Sequence, residues 1–198
     1  MQLVLASQSA ARRAMLTAAG VPHVAVTAMV DEDAAKRALL ADGAAPRAIA
    51  DTLAELKARK VSQQLPEDLV LGCDSVVVDA DGTLMNKPLD RADAAAQLAR
   101  LSGTTHRLIS AAVLAERGAA TWRHVDSVAM TMRPLGAAFI HAYLNSEWPA
   151  IQNCVGCYRL EGRGAQLFAA IDGSHFTVLG LPLLPLLAHL RQRKLLAA

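Results

Sequence analysis

Apolar and polar positions alternate along the chain in blocks that predict strands and helices in mixed order. Residues 2–5 form a short apolar run that predicts a strand. A polar turn then opens a helix that ends near Gly20, with Ser7 or Ser9 as its N-cap. Residues 22–28 alternate in the way a second strand does. The chain therefore begins as strand, helix, strand.

The most regular helical pattern lies over residues 46–65. Pro46 suits the first turn, and Ile49, Leu53 and Leu56 form an apolar stripe at helical spacing. A shorter helix is predicted before it in "DEDAAKRALL". The run "VLGCDSVVV" at 70–78 follows and predicts a buried strand.

The second half of the chain continues the alternation. Asp81 and Gly82 are a hairpin turn signal, so "TLMNKP" should return antiparallel to the preceding strand. Asp90 can cap a helix over 91–101. Further predicted elements are strands over 105–115 and 121–132, joined near Arg117 and Gly118, a strand over 166–171, a helix over 136–145, a loop over 153–164 and a leucine-rich C-terminal helix. This order predicts a mixed α/β or α+β fold.

Composition limits the classes of partner. With 198 residues and 53% hydrophobic content, the chain suits one domain over 1–198, with room for two lobes. The net charge of +2 and the lack of a basic block do not suggest a nucleic-acid-binding surface, but a small anionic ligand needs few cations. The first residues show neither a signal-peptide pattern nor a membrane span, and we interpret the three cysteines as reduced thiols. We therefore expect a cytoplasmic protein without membrane contact.

Asp74 stands in the middle of the apolar run at 70–78, with Ser75 beside it. An ionised carboxylate in such a strand costs several kcal/mol unless something compensates its charge. A buried aspartate that accepts backbone hydrogen bonds is the structural alternative. We favour a functional role, since the residue conflicts with its neighbours.

Other polar positions suggest a phosphate and metal site. "ASQSAARR" at 6–13 combines a helix N-terminus with serines and with Arg12 and Arg13, although on this stretch alone we favour an ordinary capped helix with two solvated arginines. Glu32 could bind a hard divalent cation or simply face solvent. Lys57 borders an apolar stripe, where it could cover the core edge or reach inward to a phosphate. Lys87, across the predicted hairpin, could lie near Asp74.

The loop at 153–164, "NCVGCYRLEGRG", contains Cys154 and Cys157. We expect neither a metal nor a redox site, because there is no second cysteine pair and no histidine at ligand spacing. The loop's glycines would let the backbone approach a ligand, and Glu161 places a carboxylate among them.

Taken together, these stretches resemble the Maf family of nucleoside triphosphate pyrophosphatases. The resemblance rests on "LVLASQSAARRAML", "VDED", "LAELKA", "VLGCDSVVV", "MNKPLDRADAAAQLARLSGTTHRL", "GCYRLEGRGAQLF" and "VLGLPL", which follow the family's motifs in order. It implies a two-lobed Maf/ITPase-like α/β fold with a central mixed sheet and a deep groove, usually as a homodimer. It also implies hydrolysis of a nucleoside triphosphate to the monophosphate and pyrophosphate with a divalent cation such as Mg, Mn or Co.

The resemblance also implies roles for individual residues. Asp74 falls on the catalytic aspartate, described as a general base, and Glu32 joins Asp74 as the acidic metal position. The implied phosphate-binding residues are Ser7, Arg12, Arg13, Lys57 and Lys87. We expect the metal and the neighbouring cations to lower the pKa of Asp74 and hold it ionised.

Three positions, Ala11, Ser75 and Glu161, fall where the family's branches differ in base preference. Glu161 resembles the 7-methyl-GTP branch, as does "CVGCYRLEG". A carboxylate accepts the N1–H and N2–H₂ donors of guanine, whereas a glutamine matches uracil or thymine better. We therefore favour 7-methyl-GTP or a related purine nucleotide over dTTP and UTP. Two rivals are a non-catalytic regulator of septum formation and a nucleotidyltransferase, which would need an acceptor other than water.

Overall fold

The computed structural model describes residues 1–197, in which strands and helices alternate in a mixed order. The strands are β1 (Leu3–Leu5), β2 (Val24–Ala25), β3 (Leu69–Val78), β4 (Thr105–Glu116), β5 (Ala119–Met132) and β6 (Phe168–Asp172). The helices are α1 (Ala10–Ala18), α2 (Glu32–Ala41), α3 (Pro46–Gln64), α4 (Arg91–Leu101), α5 (Ala137–Ile151), α6 (His175–Val178) and α7 (Leu183–Gln192). A 3₁₀ segment covers Arg163–Leu167.

The strands form one mixed sheet in the order β2-β1-β3-β4-β5-β6. β1 pairs in parallel with both β2 and β3, with Val4 opposite Val24 and Val70. β5 pairs antiparallel with β6, with Met130 opposite Ile171. The mixed α/β class predicted from the sequence is confirmed.

The chain divides into two compact units, and each is built from separate stretches of sequence. The first contains Met1–Ser75, Ile109–Asp126 and the residues from His175 on. The second contains Val76–Leu108 and Ser127–Ser174. The single-domain organisation inferred from chain length stays a prediction.

The core of the first unit lies against β1 and β3. One apolar cluster unites Leu5 and Leu71 with Leu16 of α1 and Leu186 of α7, all fully buried. The core of the second unit includes six nearly inaccessible apolar side chains: Leu98, Leu101, Met130, Met132, Ile151 and Leu167. Within residues 1–197, no helix is both long and apolar enough to cross a bilayer.

Two helix caps and one hairpin turn occur at the positions predicted from the sequence. The Ser9 and Asp90 side chains accept from the backbone N–H groups of Arg12 and Asp93, which makes them the N-caps of α1 and α4. Arg117 and Gly118, which join β4 to β5, have φ values of +50° and +79°. Two consecutive positive φ angles are what a type I′ hairpin turn requires.

Three elements differ from their predicted extents. The segment after Gly82 forms only one antiparallel bridge, between Val78 and Leu84, rather than a returning strand. β2 covers two exposed residues instead of the predicted 22–28. α5 continues past residue 145 and through Pro149, and the fully buried side chain of Ile151 shows that packing supports this extension.

Candidate active site

The alternation of side chains along β3 directs its residues to two different helical layers. Val70 packs with Val61 of α3, whereas Leu71 packs with Leu16 of α1. A Cβ at Gly72 would lie only 2.1 Å from the Ala54 carbonyl oxygen of α3. Only glycine therefore lets α3 approach β3 this closely. Because side chains alternate with a period of two, the residue at 74 faces α3 and the residue at 75 faces α1.

Asp74 and Lys57 form a buried ion pair on the α3 side, and the exposed Glu32 contacts the same ammonium. The Lys57 Nζ donates to Asp74 Oδ1 over 2.6 Å and lies 2.8 Å from Glu32 Oε2. Lys57 is 6% exposed and Asp74 is 7% exposed. The lysine does not extend its ammonium into solvent, because the two carboxylates bind it beneath the surface. Glu32 reaches the cluster from the first residue of α2, whose N-cap is Asp31.

Burial raises the pKa of Asp74 above its usual value of 3.8, and the nearby Glu32 charge raises it further. Lys57 and Arg12 act in the opposite direction. Desolvation therefore outweighs the two cations, and the lowered pKa expected with a metal bound stays a prediction. A carboxyl group with a raised pKa is a stronger base than an exposed aspartate, which suits proton abstraction from water.

Arg12 is held on the other side of β3 by four acceptors. Its Nε donates to the Gly180 carbonyl over 2.7 Å, and its Nη1 donates to Ser7 Oγ and to the Cys73 carbonyl. Its Nη2 donates to Ser75 Oγ over 3.0 Å. A guanidinium has five N–H groups, so these contacts leave Arg12 one N–H for a ligand.

Gly180 makes room for this arginine. Its φ is +94°, and a Cβ there would lie 3.1 Å from Arg12 Nε and 3.3 Å from Ser75 Oγ. An L-residue with a side chain would be strained at this φ and would press on the guanidinium.

The remaining candidate residues lie elsewhere. Ala11 is half-buried on α1, while Arg13 is exposed and its side chain makes no hydrogen bond or ion pair with the described residues. Lys87 and Glu161 are exposed and belong to the second unit. Both are close enough to Cys154 for their charges to act on its pKa, which burial raises. The structure thus brings together Glu32, Lys57 and Asp74 on one face of β3, and Ser7, Arg12 and Ser75 on the other.

Sequence reasoning missed Ser110 and Thr177, which lie behind Ser75. Ser110 Oγ is 2.8 Å from Ser75 Oγ and donates to the Thr177 carbonyl over 2.8 Å. Both residues are fully buried. A signal was present, because Ser110 interrupts the apolar run 108–115 much as Asp74 interrupts 70–78.

Comparison with known proteins gives a match over almost the whole chain. The family model described as "Maf-like protein" matches residues 2–193. A protein of Roseobacter denitrificans named "Nucleoside triphosphate pyrophosphatase" is 50% identical over 191 residues, which are 96% of each chain. A protein of Brucella abortus named "7-methyl-GTP pyrophosphatase" is 46% identical over 193 residues, which are 98% of this chain and 96% of that one.

Proposed function

The chain belongs to the Maf family, and on that premise we propose that it hydrolyses 7-methyl-GTP or a related purine nucleoside triphosphate to the monophosphate and pyrophosphate. Such an activity clears unwanted nucleotides from the cellular pool. The reaction class follows from two relatives that are each 50% identical to it over at least 95% of this chain. The choice of base is our inference.

The buried Asp74–Lys57 pair carries the proposal. A carboxylate that is 7% exposed, with a raised pKa, is suited to take a proton from an attacking water. Lys57 fixes one oxygen of Asp74 over 2.6 Å, which leaves Oδ2 for the water. This arrangement supports general-base hydrolysis with Asp74 as the catalytic residue.

The same cluster fits a divalent cation. Glu32 and Asp74 both bind one ammonium group, so their hard oxygen ligands lie close together. Within residues 1–197 no group of three or more His, Cys, Asp and Glu side chains could hold a metal ion. Two carboxylates suit an ion such as Mg²⁺, which keeps several waters and takes the rest of its ligands from substrate phosphates. When bound, the ion would withdraw charge from the phosphates.

We assign the phosphate chain to Ser7, Arg12, Arg13, Lys57 and Lys87. Arg12 retains one N–H for this role, so it would donate a single hydrogen bond to a phosphate rather than a bidentate pair. Arg13 is exposed and its side chain has no partner among the described residues, which leaves it available to a phosphate. Lys57 would bind substrate only as a point charge that its two carboxylates already share.

The purine preference rests on Glu161 and on the names of two Brucella relatives. Glu161 accepts hydrogen bonds only, which matches the donors of guanine, and the Brucella abortus and Brucella suis proteins are named for 7-methyl-GTP. Ala11 and Ser75 complete the proposed base-discriminating set. The main alternative is the same reaction on dTTP and UTP.

Two further features belong to the proposal. The three cysteines, Cys73, Cys154 and Cys157, form no disulfide, which supports a cytoplasmic location. We also propose a homodimer, and light scattering on a size-exclusion column tests it.

The experiment is a panel of standard and methylated triphosphates with and without Mg²⁺, Mn²⁺ or Co²⁺. We expect equimolar monophosphate and pyrophosphate, detected by ³¹P NMR, with water as the only acceptor. Release of inorganic phosphate and a diphosphate would contradict the reaction. Absence of turnover across the panel would favour a binding protein, and a requirement for a second substrate would favour a nucleotidyltransferase.

A further inference from the structure

Four residues of the first unit form a hydrogen-bond chain behind the candidate site. Arg12 Nη2 donates to Ser75 Oγ, Ser75 Oγ lies 2.8 Å from Ser110 Oγ, and Ser110 Oγ donates to the Thr177 carbonyl over 2.8 Å. Ser110 and Thr177 are fully buried, while Ser75 is half-buried and so can meet a ligand. These hydrogen bonds thus connect the buried Thr177 carbonyl to Ser75 at the surface of the site.

The direction of every hydrogen bond in this chain is determined. A carbonyl oxygen carries no proton, so the proton between Ser110 and Thr177 belongs to Ser110. Ser110 has only one hydroxyl proton, and therefore it can only accept from Ser75. Ser75 in turn donates its single proton to Ser110 and accepts from the Arg12 guanidinium.

The carbonyl at the end of the chain is itself fixed. It also accepts from the Gly180 N–H over 3.0 Å, so both of its lone pairs are used. The Thr177 hydroxyl donates to Asp126 over 2.6 Å, which restrains the residue from its other side. The Thr177 carbonyl, which accepts the Ser110 proton, is therefore held in one position.

We propose that Ser110 is a positioning residue that makes Ser75 an obligate hydrogen-bond acceptor toward the nucleotide. Ser75 has no proton left for a ligand, and one of its two lone pairs remains. It can therefore bind an N–H of the nucleobase, whereas it repels a ring nitrogen that offers a lone pair. The inference rests on the proposed function, and it gives the site a preference for bases that are protonated at the contacted ring nitrogen.

Pairs of triphosphates that differ in this one property provide the test. GTP and UTP carry a proton on N1 and N3, whereas 2,6-diaminopurine riboside triphosphate and CTP offer a lone pair at the same atoms. We expect the parent protein to prefer the protonated member of each pair it hydrolyses, measured as the ratio of kcat/KM values. In Ser110→Ala the Ser75 proton loses its acceptor and can turn toward a ligand, so this ratio should fall roughly tenfold.

Two further variants separate positioning from loss of stability. Ser110→Thr keeps the hydroxyl and should restore most of the ratio. Ser62→Ala is the matched control, because Ser62 is also fully buried and its Oγ accepts from the Gly118 N–H over 2.6 Å. Ser62→Ala should lower stability without changing the ratio of kcat/KM values.

Ser75→Ala provides a second route if Ser110→Ala folds poorly. It removes the acceptor itself and should abolish the same preference. A parent protein without the preference, or a ratio that stays within twofold in both alanine variants, would overturn the inference. Pyrophosphate release would then still support the proposed function, whereas failure of all triphosphates to react would remove both.

Discussion

Lys57 Nζ lies 2.6 Å from Asp74 Oδ1, and both residues are buried. Neither charge would be tolerated there alone, because an uncompensated buried ion costs several kcal/mol. The pair links helix α3 to strand β3, seventeen residues apart in sequence. Stability and proposed chemistry therefore depend on the same contact.

Asp74→Asn should abolish turnover and keep the fold, because Glu32, 2.8 Å from Lys57 Nζ, still pairs with the ammonium. The amide keeps the shape of the side chain and can still accept from Lys57, but it cannot take a proton from water. Loss of a general base costs about 10²- to 10⁴-fold in rate, measured as pyrophosphate release. Asp33→Asn, an exposed carboxylate next to Glu32, is the control and should remain active. Near-normal turnover by Asp74→Asn, with an unchanged circular dichroism spectrum, would refute the assignment.

Lys57→Met should destabilise the first unit by about 3–5 kcal/mol, since it leaves the Asp74 carboxylate buried without its cation. Urea denaturation at neutral pH measures the change. The double variant Lys57→Met/Asp74→Asn should recover part of this loss, because the unpaired charge is gone. If the two substitutions instead lower stability additively, the contact does not couple them in the way we infer.

His106 should make stability depend on pH. Burial lowers the pKa of this side chain, which is 1% exposed, from 6.5 to about 4. The folded state therefore favours the neutral ring, so the contribution is complete above pH 6.5 and is lost as the pH falls toward 4. The full shift corresponds to about 3 kcal/mol.

Denaturation at several pH values between 7.5 and 4 checks this dependence. His106→Gln should be less stable at pH 7.5, because it disturbs the contact with the Tyr158 hydroxyl 2.9 Å from the ring. Its stability should nevertheless vary less over this pH range. A parent-like slope in the variant would assign the pH dependence to other groups.

Gly180→Ala should lower both stability and kcat/KM. The substitution combines a strained φ of +94° with a Cβ 3.1 Å from Arg12 Nε. Gly20→Ala is the matched control, because Gly20 has a φ of +67° and nothing within 4 Å of its added Cβ. The control should lose about 1 kcal/mol from strain alone and keep its activity. Equal effects of the two variants on kcat/KM would show that the arginine tolerates the contact.

Glu161→Gln should shift substrate preference toward UTP and dTTP. A glutamine both donates and accepts, so it matches the N3–H and flanking carbonyls of a pyrimidine better than a carboxylate does. A mismatched polar contact costs roughly 1–3 kcal/mol, which is about 5- to 150-fold in relative kcat/KM. Glu67→Gln, at another exposed position, is the control. An unchanged substrate profile would remove Glu161 from base recognition.

Local signals explain why much of the fold was predictable. Ser9, Asp90 and the Arg117–Gly118 turn each act through atoms within a few residues, so their meaning is visible in a short window of sequence. β2 and the end of α5 were misjudged because distant packing decides them. The buried side chain of Ile151, for example, supports a helical turn that Pro149 disfavours.

The candidate site was predictable to the extent that single residues conflict with their surroundings. Asp74 conflicts with the valines around it, and that conflict alone marked it as functional. The direction of the Lys57 side chain was not predictable, because helical periodicity places it at the border of the apolar stripe. Gly72 lets α3 approach β3 closely, so the Lys57 side chain points inward and its ammonium reaches Asp74.

The sequence by itself determined most of the order of strands and helices, the family and the identity of the charged residues, since these depend on local pattern and residue type. Only the tertiary structure decided which of those residues meet. Arg12 binds the carbonyl of Gly180, 168 positions away, and Ser75 receives its orientation from Ser110. Such contacts depend on how distant segments pack, and the pattern within any one segment does not contain that information.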